Sequence, residues 1–376
     1  MNVVSIGTDR KVFEPESAVR ARMIEYGKLF SELHIVVFSL AKNSYRDEQI
    51  APNVWIYATC SKNRWRYIFD ARSIIQKEFK DKRIDVITTQ DPFETGLAGV
   101  LARRAVPAKL HMQIHTDFMS TYFTRGSWLN RIRVAIASKI LPKADAVRAV
   151  SDRIKTSLAK IDPKLPDRTR VLPIYTDTSV FKDAPITDDL HKVYPQFSFI
   201  ILMASRLTAE KNIGFALKLL REIVLKYKDV GMVIVGDGPE KKYLQGIVLR
   251  DHLDRNVVFE PWQSSLASYY HTADVFLTTS LYEGYGLTLV EAAASGSPII
   301  SSDVGVAQQI IESGKTGFIC DLSQPETFSK ALFDLIEQPA KLAEMKHVAD
   351  KIAHEKASEP KAEYLKKYKT MLEEVQ

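Results

Sequence analysis

Arg206 and Lys211 sit in the segment Ser205-Arg206-Leu207-Thr208-Ala209-Glu210-Lys211-Asn212, between an apolar run and a stretch with helical periodicity. Two fixed cations just before a helix N-terminus, where backbone N–H groups also lack partners, suit a diphosphate. Each charge-assisted bond there is worth about 1.5–3 kcal/mol. The pair alone is equally consistent with two solvated surface charges. After Val233-Ile234-Val235 comes Gly236-Asp237-Gly238-Pro239. The glycines permit close backbone approach to a ligand and the proline suits the first turn of a helix, although any tight turn reads the same way. Further on, Phe259-Glu260-Pro261-Trp262-Gln263 places an aromatic ring and an amide just past a strand. Trp262 there either borders a nucleobase or packs.

The fourth segment says most. Asp274 to Ser280 leads into Leu281-Tyr282-Glu283-Gly284-Tyr285-Gly286-Leu287-Thr288-Leu289-Val290-Glu291-Ala292. Gly284 and Gly286 open a helix near Leu287, so the N–H groups at Leu287 and Thr288 can meet a phosphate or sugar oxygen. Glu291 lies one turn inside, among small residues. A carboxylate there is poor company for phosphate but well suited to accept hydrogen bonds from vicinal hydroxyls. A solvated helix face is the alternative. In the first half, Lys109–Ile114 ends in His115-Thr116-Asp117, and the first apolar run ends at Gly7.

The elements that must position these residues alternate along the chain. Val3–Ile6, Ile35–Phe38, Val54–Tyr57, Asp85–Thr88, Lys109–Ile114 and Ala146–Val150 read as strands. Helix-period segments lie between them, such as Ala18–Phe30 with Val19, Met23, Tyr26 and Phe30 on one face. Asp177–Gln196, with prolines, acids and no clear period, reads as a linker. Alternation resumes with Phe197–Ala204, Gly231–Val235, Val257–Phe259, Val275–Thr278, Pro298–Ser301 and Gly317–Cys320. The expectation is an α/β protein of two Rossmann-like domains with parallel sheets. The domains span 1–183 and 184–355, and a last helical segment, 356–376, packs back on the first domain. Such sheets place ligands at the carboxyl ends of their strands, here facing a central cleft.

Composition bounds the class. With 376 residues, 45% hydrophobic and 26% charged, the chain suits two globular domains. No apolar run has the length of a membrane span. Met1–Gly7 lacks the basic region and apolar length of a signal peptide, and Cys60 and Cys320 stand far apart, without metal-ligand spacing. A cytoplasmic protein is expected. Residues 1–183 hold 31 Lys+Arg against 20 Asp+Glu, leaving 21 against 26 in the remainder. The basic half suggests an anionic partner; no nucleic-acid signature accompanies it. Ser127–Leu141 aligns Trp128, Leu129, Ile132, Ile136 and Ile140, with Arg131, Arg133 and Lys139 beside them. That stripe fits peripheral attachment to an anionic membrane surface or packing on the core equally well.

The ordered set Ser205-Arg206…Lys211-Asn212, Gly236-Asp237-Gly238-Pro239, Tyr269-Tyr270…Ala273-Asp274-Val275, Glu283-Gly284-Tyr285-Gly286, Glu291-Ala292, Gly296-Ser297-Pro298 and Gly314…Gly317 resembles the family 4 retaining glycosyltransferases of the GT-B fold. The resemblance implies that Arg206 and Lys211 hold a donor diphosphate, and that Glu291 holds ribose hydroxyls. Glu283 and the backbone from Gly284 to Leu287 would hold sugar and phosphate, and His115 would contact the donor sugar. The candidate catalytic set is His115, Arg206, Lys211 and Glu283. The candidate substrate contacts are Gly7, Asp117, Gly236, Gly238, Trp262, Gly284, Tyr285, Gly286, Leu287, Thr288 and Glu291. The expected reaction moves a hexose-type sugar from a UDP- or GDP-sugar to a glycan or lipid-linked hydroxyl, with retention. No cofactor or metal is expected, since no Asp-x-Asp site occurs. A nucleotide-sugar epimerase or a non-catalytic nucleotide-sugar binder on the same fold is the alternative. Two departures bear on acceptor and sugar preference. A single Gly7 precedes Thr8-Asp9 where a glycine pair is usual, and Gly305-Val306 with Gln308 replaces Gly-Gly and a Glu.

Overall fold

The structure, a computed structural model, describes residues 1–355 and 359–375. It divides into two compact units: Met1–Pro173 with Lys361–Gln376, and Ile174–Pro360.

The first unit is built on strands β1 (Asn2–Gly7), β2 (Glu32–Val37), β3 (Glu48–Ala51), β4 (Val54–Ala58), β5 (Val86–Thr89), β6 (Lys109–Ile114), β7 (Ala146–Ala149) and β8 (Thr169–Val171). They form one sheet in the order β3-β4-β2-β1-β5-β6-β7-β8. All pairings are parallel except β3 with β4. β2, β4 and β3 lie outward of β1 on one side and β5 to β8 run outward on the other, so the reversal lies between β1 and β5. Thr8 N–H, just past β1, donates to Gln90 Oε1 just past β5, at 2.8 Å. Strand residues are buried almost throughout because helices cover both faces. β3 and β8 escape the sequence reading for identifiable reasons. Glu48-Gln49-Ile50-Ala51 is an antiparallel edge with a register shift, and Thr169–Val171 is three residues long.

The second unit holds β9 (Phe199–Ala204), β10 (Val230–Val235), β11 (Val257–Glu260), β12 (Val275–Thr278), β13 (Ile299–Ser302) and β14 (Gly317–Cys320). The order is β11-β10-β9-β12-β13-β14, parallel throughout, with its reversal between β9 and β12. The two-residue period of a strand shows directly in the packing. Phe199, Ile201 and Met203 enter one core cluster, with Met232, Ile234 and the helix Ile213–Lys226. Ile200, Leu202 and Ala204 enter the other, with Val233, Val235, Tyr270 and Phe276.

The boundaries differ from those expected at 183/184 and 355/356. Asp177–Gln196 is no free linker. It contains helices Ser179–Lys182 and Leu190–Val193, with Leu190 buried in the second unit's core and Phe181 edge-on to Tyr270. Too short to show a period, these turns are recruited by single apolar anchors, which moves the division back to Pro173. Residues 356–358 lie outside the described residues. The final helix, Lys361–Glu373, buries Tyr364, Tyr368, Met371 and Leu372 in the first unit. Tyr368 stacks on Tyr26 and Lys361 pairs with Glu25 at 2.6 Å.

Candidate active site

Ligands of open α/β sheets gather where the strand order reverses, because the loops on either side diverge and leave a crevice. In the second unit those loops follow β9 and β12, and they are tied to each other. Lys211 Nζ meets Glu283 Oε1 at 2.5 Å, with both side chains only 16% exposed. Ser280 Oγ donates to the same carboxylate oxygen at 2.8 Å. Buried Thr279 donates through Oγ1 to the carbonyls of Lys211 and Asn212, at 3.2 and 3.1 Å. Leu281 N–H donates to Glu210 O at 2.7 Å. Lys211 is thus held at both its backbone and its ammonium, which keeps further donor capacity. Arg206 is held far less. Its side chain is 72% exposed and its nearest acid, Glu210, lies 3.8 Å away.

Helix Leu287–Ala294 starts at Gly286, whose φ of 91° is left-handed, and no side chain caps it. Its first N–H groups, from Leu287 and Thr288, are therefore not claimed by a side-chain cap, and the helix dipole favours an anion there. Glu291 lies one turn in and half-buried. Tyr270 O–H donates to its Oε2 at 3.0 Å, and Oε1 has no hydrogen-bond partner among the described residues. Burial raises the Glu291 pKa, against the Tyr270 bond. Burial also lifts Tyr270 well above its ordinary value, so Tyr270 stays a donor.

The glycines after β10 permit a close approach within the unit itself. A Cβ at Gly236 (φ 141°) would lie 1.9 Å from Ser205 O, and one at Gly238 would lie 2.3 Å from Leu207 O. The backbone they admit is the chain's own, and Leu207 N–H donates to Asp237 O at 2.9 Å. They set the position of the Arg206 loop. Trp262 stands in the loop after β11 and is exposed. Tyr285 O accepts from Val306 N–H at 3.0 Å, while Gln308 turns aside to bond Asp303.

In the first unit, His115 follows β6. Its Nε2 lies 3.3 Å from Gln113 Oε1. Burial, then Arg148 and Arg22, lower its pKa to about 3, so the ring is neutral. Asp117 is half-buried, and burial raises its pKa against the pull of Arg153 and Lys160. Gly7 closes β1 beside the Thr8–Gln90 bond.

The structure thus brings Lys211, Glu283 and the helix start together around the reversal point of the second unit, with Arg206 in the same loop as Lys211. His115, Asp117 and Gly7 end strands of the first unit. Sequence reading missed Thr279, Ser280, Tyr270, Gln113 and Arg148. For Arg148 a signal existed: a lone charge inside Ala-Val-Arg-Ala-Val, an apolar strand.

Residues 191–352 match the family described as Glycosyl transferases group 1, and residues 32–174 match the Glycosyl transferase 4-like domain. The chain belongs to the family 4 glycosyltransferases of the GT-B fold. It is 27% identical over 274 residues to the alpha-monoglucosyldiacylglycerol synthase of Streptococcus pneumoniae, covering 69% of this chain and 60% of that protein's length. Among solved structures, sucrose-phosphate synthase from Thermosynechococcus elongatus superposes with a TM-score of 0.78 at 18% identity, over 100% of this chain and 99% of the other. Anabaena HepE in complex with UDP and glucose gives 0.73 at 19%, over 99% of each.

In this glycosyltransferase Lys211, tied to Glu283, and Arg206, in the same loop, are the candidate cations for a donor diphosphate. Replacing Arg206 or Lys211 by Ala should each lower turnover by roughly 10²–10³-fold, the cost of losing one charge-stabilising donor. A double variant turning over near the wild-type rate in a steady-state assay would contradict their role.

Proposed function

We propose that the chain moves a hexose from a UDP-hexose to a hydroxyl of a glycan or lipid-linked acceptor, with retention of anomeric configuration and without a metal ion. The observation that carries this reading is the Lys211–Glu283 pair, which spans the two loops at the strand-order reversal beside the uncapped helix start. A diphosphate accepted by Lys211, by exposed Arg206 and by the N–H groups at Leu287 and Thr288 would have its leaving-group charge stabilised without a metal. Glu291, with one carboxylate oxygen available, suits the ribose hydroxyls. UDP in HepE supports uridine as the base; Trp262 would border it.

In the proposed reaction the bond from the anomeric carbon to the phosphate oxygen breaks, and a bond to the acceptor oxygen forms on the same face. The acceptor proton passes to the departing phosphate oxygen. Neutral His115 suits positioning of the sugar rather than proton removal, as its pKa near 3 leaves it a weak base. An inverting reaction would need a base on the far face, for which Asp117 is the candidate. An epimerase would consume the donor with no acceptor present. An α-linked UDP-hexose should therefore give an α-linked product, undiminished by EDTA, as read by proton NMR of the new anomeric position. A β-linked product would move the chemistry to Asp117 or another base, and loss of activity with EDTA would overturn metal independence.

The acceptor side is read from the first unit's surface. On the helix Trp128–Ile140, Trp128 (63% exposed), Leu129 and Ile132 are exposed near Arg125 and Arg131, whereas Ile140 is buried. The stripe thus divides, its first two turns outward and its last turn in the core. Helices Tyr67–Glu78, Glu94–Ala102 and Trp128–Ile140 pack side by side. The turn before the first of them exposes Trp65 (77%), with Phe69 beyond it and Lys62, Arg64 and Arg66 alongside. Exposed aromatic rings among cations suit an anionic membrane surface, where rings sit at headgroup level and each cation contributes about 1 kcal/mol. The chain should float with anionic vesicles at low salt, less at high salt, and less again as Trp65→Ser/Trp128→Ser. No binding at low salt would leave a soluble acceptor. Among the described residues no helix is long and apolar enough to cross a membrane.

A further inference from the structure

Behind His115 lies a buried polar chain that the reaction as written does not use. Arg148, on β7, is buried, without a carboxylate partner among the described residues. Its Nε donates to Leu172 O at 3.0 Å, and one terminal nitrogen donates to Pro173 O at 2.7 Å and Tyr364 Oη at 2.8 Å. The other terminal nitrogen donates to Gln113 Oε1 at 3.0 Å. The guanidinium also stands over the Tyr368 ring, 5.5 Å from its centre. Gln113 Nε2 donates to Thr88 Oγ1 at 3.1 Å, and that hydroxyl contacts His111 Nδ1 at 2.9 Å.

The chemistry of these groups leaves one consistent pattern. An arginine only donates, so the Gln113 atom facing it must be the carbonyl oxygen, and the amide cannot be flipped. The same oxygen faces His115 Nε2 at 3.3 Å. An oxygen lone pair there requires a proton on Nε2. A neutral imidazole carries a single ring proton, so Nδ1 is then bare and is an acceptor. Nδ1 has no hydrogen-bond partner among the described residues and is not sealed from solvent.

We propose that Arg148 and Gln113 are positioning residues that hold His115 in its Nε2–H form, so that Nδ1 presents an acceptor to a hydroxyl of the donor sugar. The value of this relay to catalysis rests on the proposed contact between His115 and the sugar; the proton's location does not. Tyr364 and Tyr368 bring the last helix into the relay by fixing the guanidinium.

Long-range ¹H–¹⁵N correlation spectra of the full chain labelled at histidine nitrogens, with His115→Gln to assign the signal, read the proton's location. Wild type should show a protonated Nε2 and a bare Nδ1 at neutral pH. Gln113→Met, near in shape but lacking the acceptor, should give a mixture of the two forms. Its kcat should fall about tenfold, the worth of one hydrogen bond, with donor KM little changed. Arg148→Lys, which keeps a donor to Gln113, should retain the Nε2–H form, and Arg148→Met should lose it. Should Arg148→Met fail to fold for want of its bonds to Leu172 and Pro173, Gln113→Met carries the test. A wild-type signal from Nδ1–H or from the doubly protonated ring would overturn the proposal, as would an unchanged signal in Gln113→Met. Wild-type turnover in His115→Ala with the expected spectra would instead defeat the sugar contact, leaving the relay without a catalytic task.

Discussion

The ion pair between Lys211 and Glu283 is the contact on which the second unit's site depends. Each residue belongs to a different loop, one after β9 and one after β12, and those strands flank the reversal of strand order. A half-buried lysine is unfavourable unless paired and hydrogen-bonded, and Glu283 provides that partner. In turn Ser280 fixes Glu283, while Thr279 fixes the backbone at Lys211 and Asn212. Arg206 with Glu210, and Lys211 with Glu283, make a cluster of balanced charge. An incoming diphosphate would therefore gain from prepositioned donors more than from a net positive field. Preorganisation of that kind acts in a water-poor site without reorganisation during the reaction.

The first unit is organised around a cation of a different sort. Arg148 lies inside a parallel sheet and draws its bonds from carbonyls, an amide and a tyrosine hydroxyl. The two carbonyls, at Leu172 and Pro173, belong to the end of the unit, and the tyrosine belongs to the last helix. One side chain thus fastens the chain's exit and its return to the same sheet. Burial, and after it the Arg148 charge, keeps both His111 and His115 neutral, each lowered to about 3.

Much of this was legible in the residues. Alternation of short apolar runs with helical periods named eleven of the twelve strands other than β3 and β8 within two residues at each end, and the ordered turns named the family. The failures share a cause: the deciding partner was remote in sequence. β3 is polar and exists because β4 pairs with it, and Leu190 is an anchor because a core awaits it. Gly236 and Gly238 read as glycines of close approach, and the backbone whose approach they permit includes that of Ser205 and Leu207. Thr279 and Ser280 were unremarked because hydroxyls at a strand end carry no period. The amphipathic stripe from Trp128 to Ile140 offered two readings; its last turn packs in the core, and its first two turns are exposed.

The central claim, that Lys211 is aimed at a diphosphate, is tested most directly by calorimetric comparison of UDP with uridine. The diphosphate should bind at least about 100-fold more tightly than the nucleoside, corresponding to about 2.7 kcal/mol. In Lys211→Met that preference should shrink to about tenfold or less, as one charge-assisted bond is lost. An equal preference in wild type and variant would contradict the account, whatever the variant's effect on turnover.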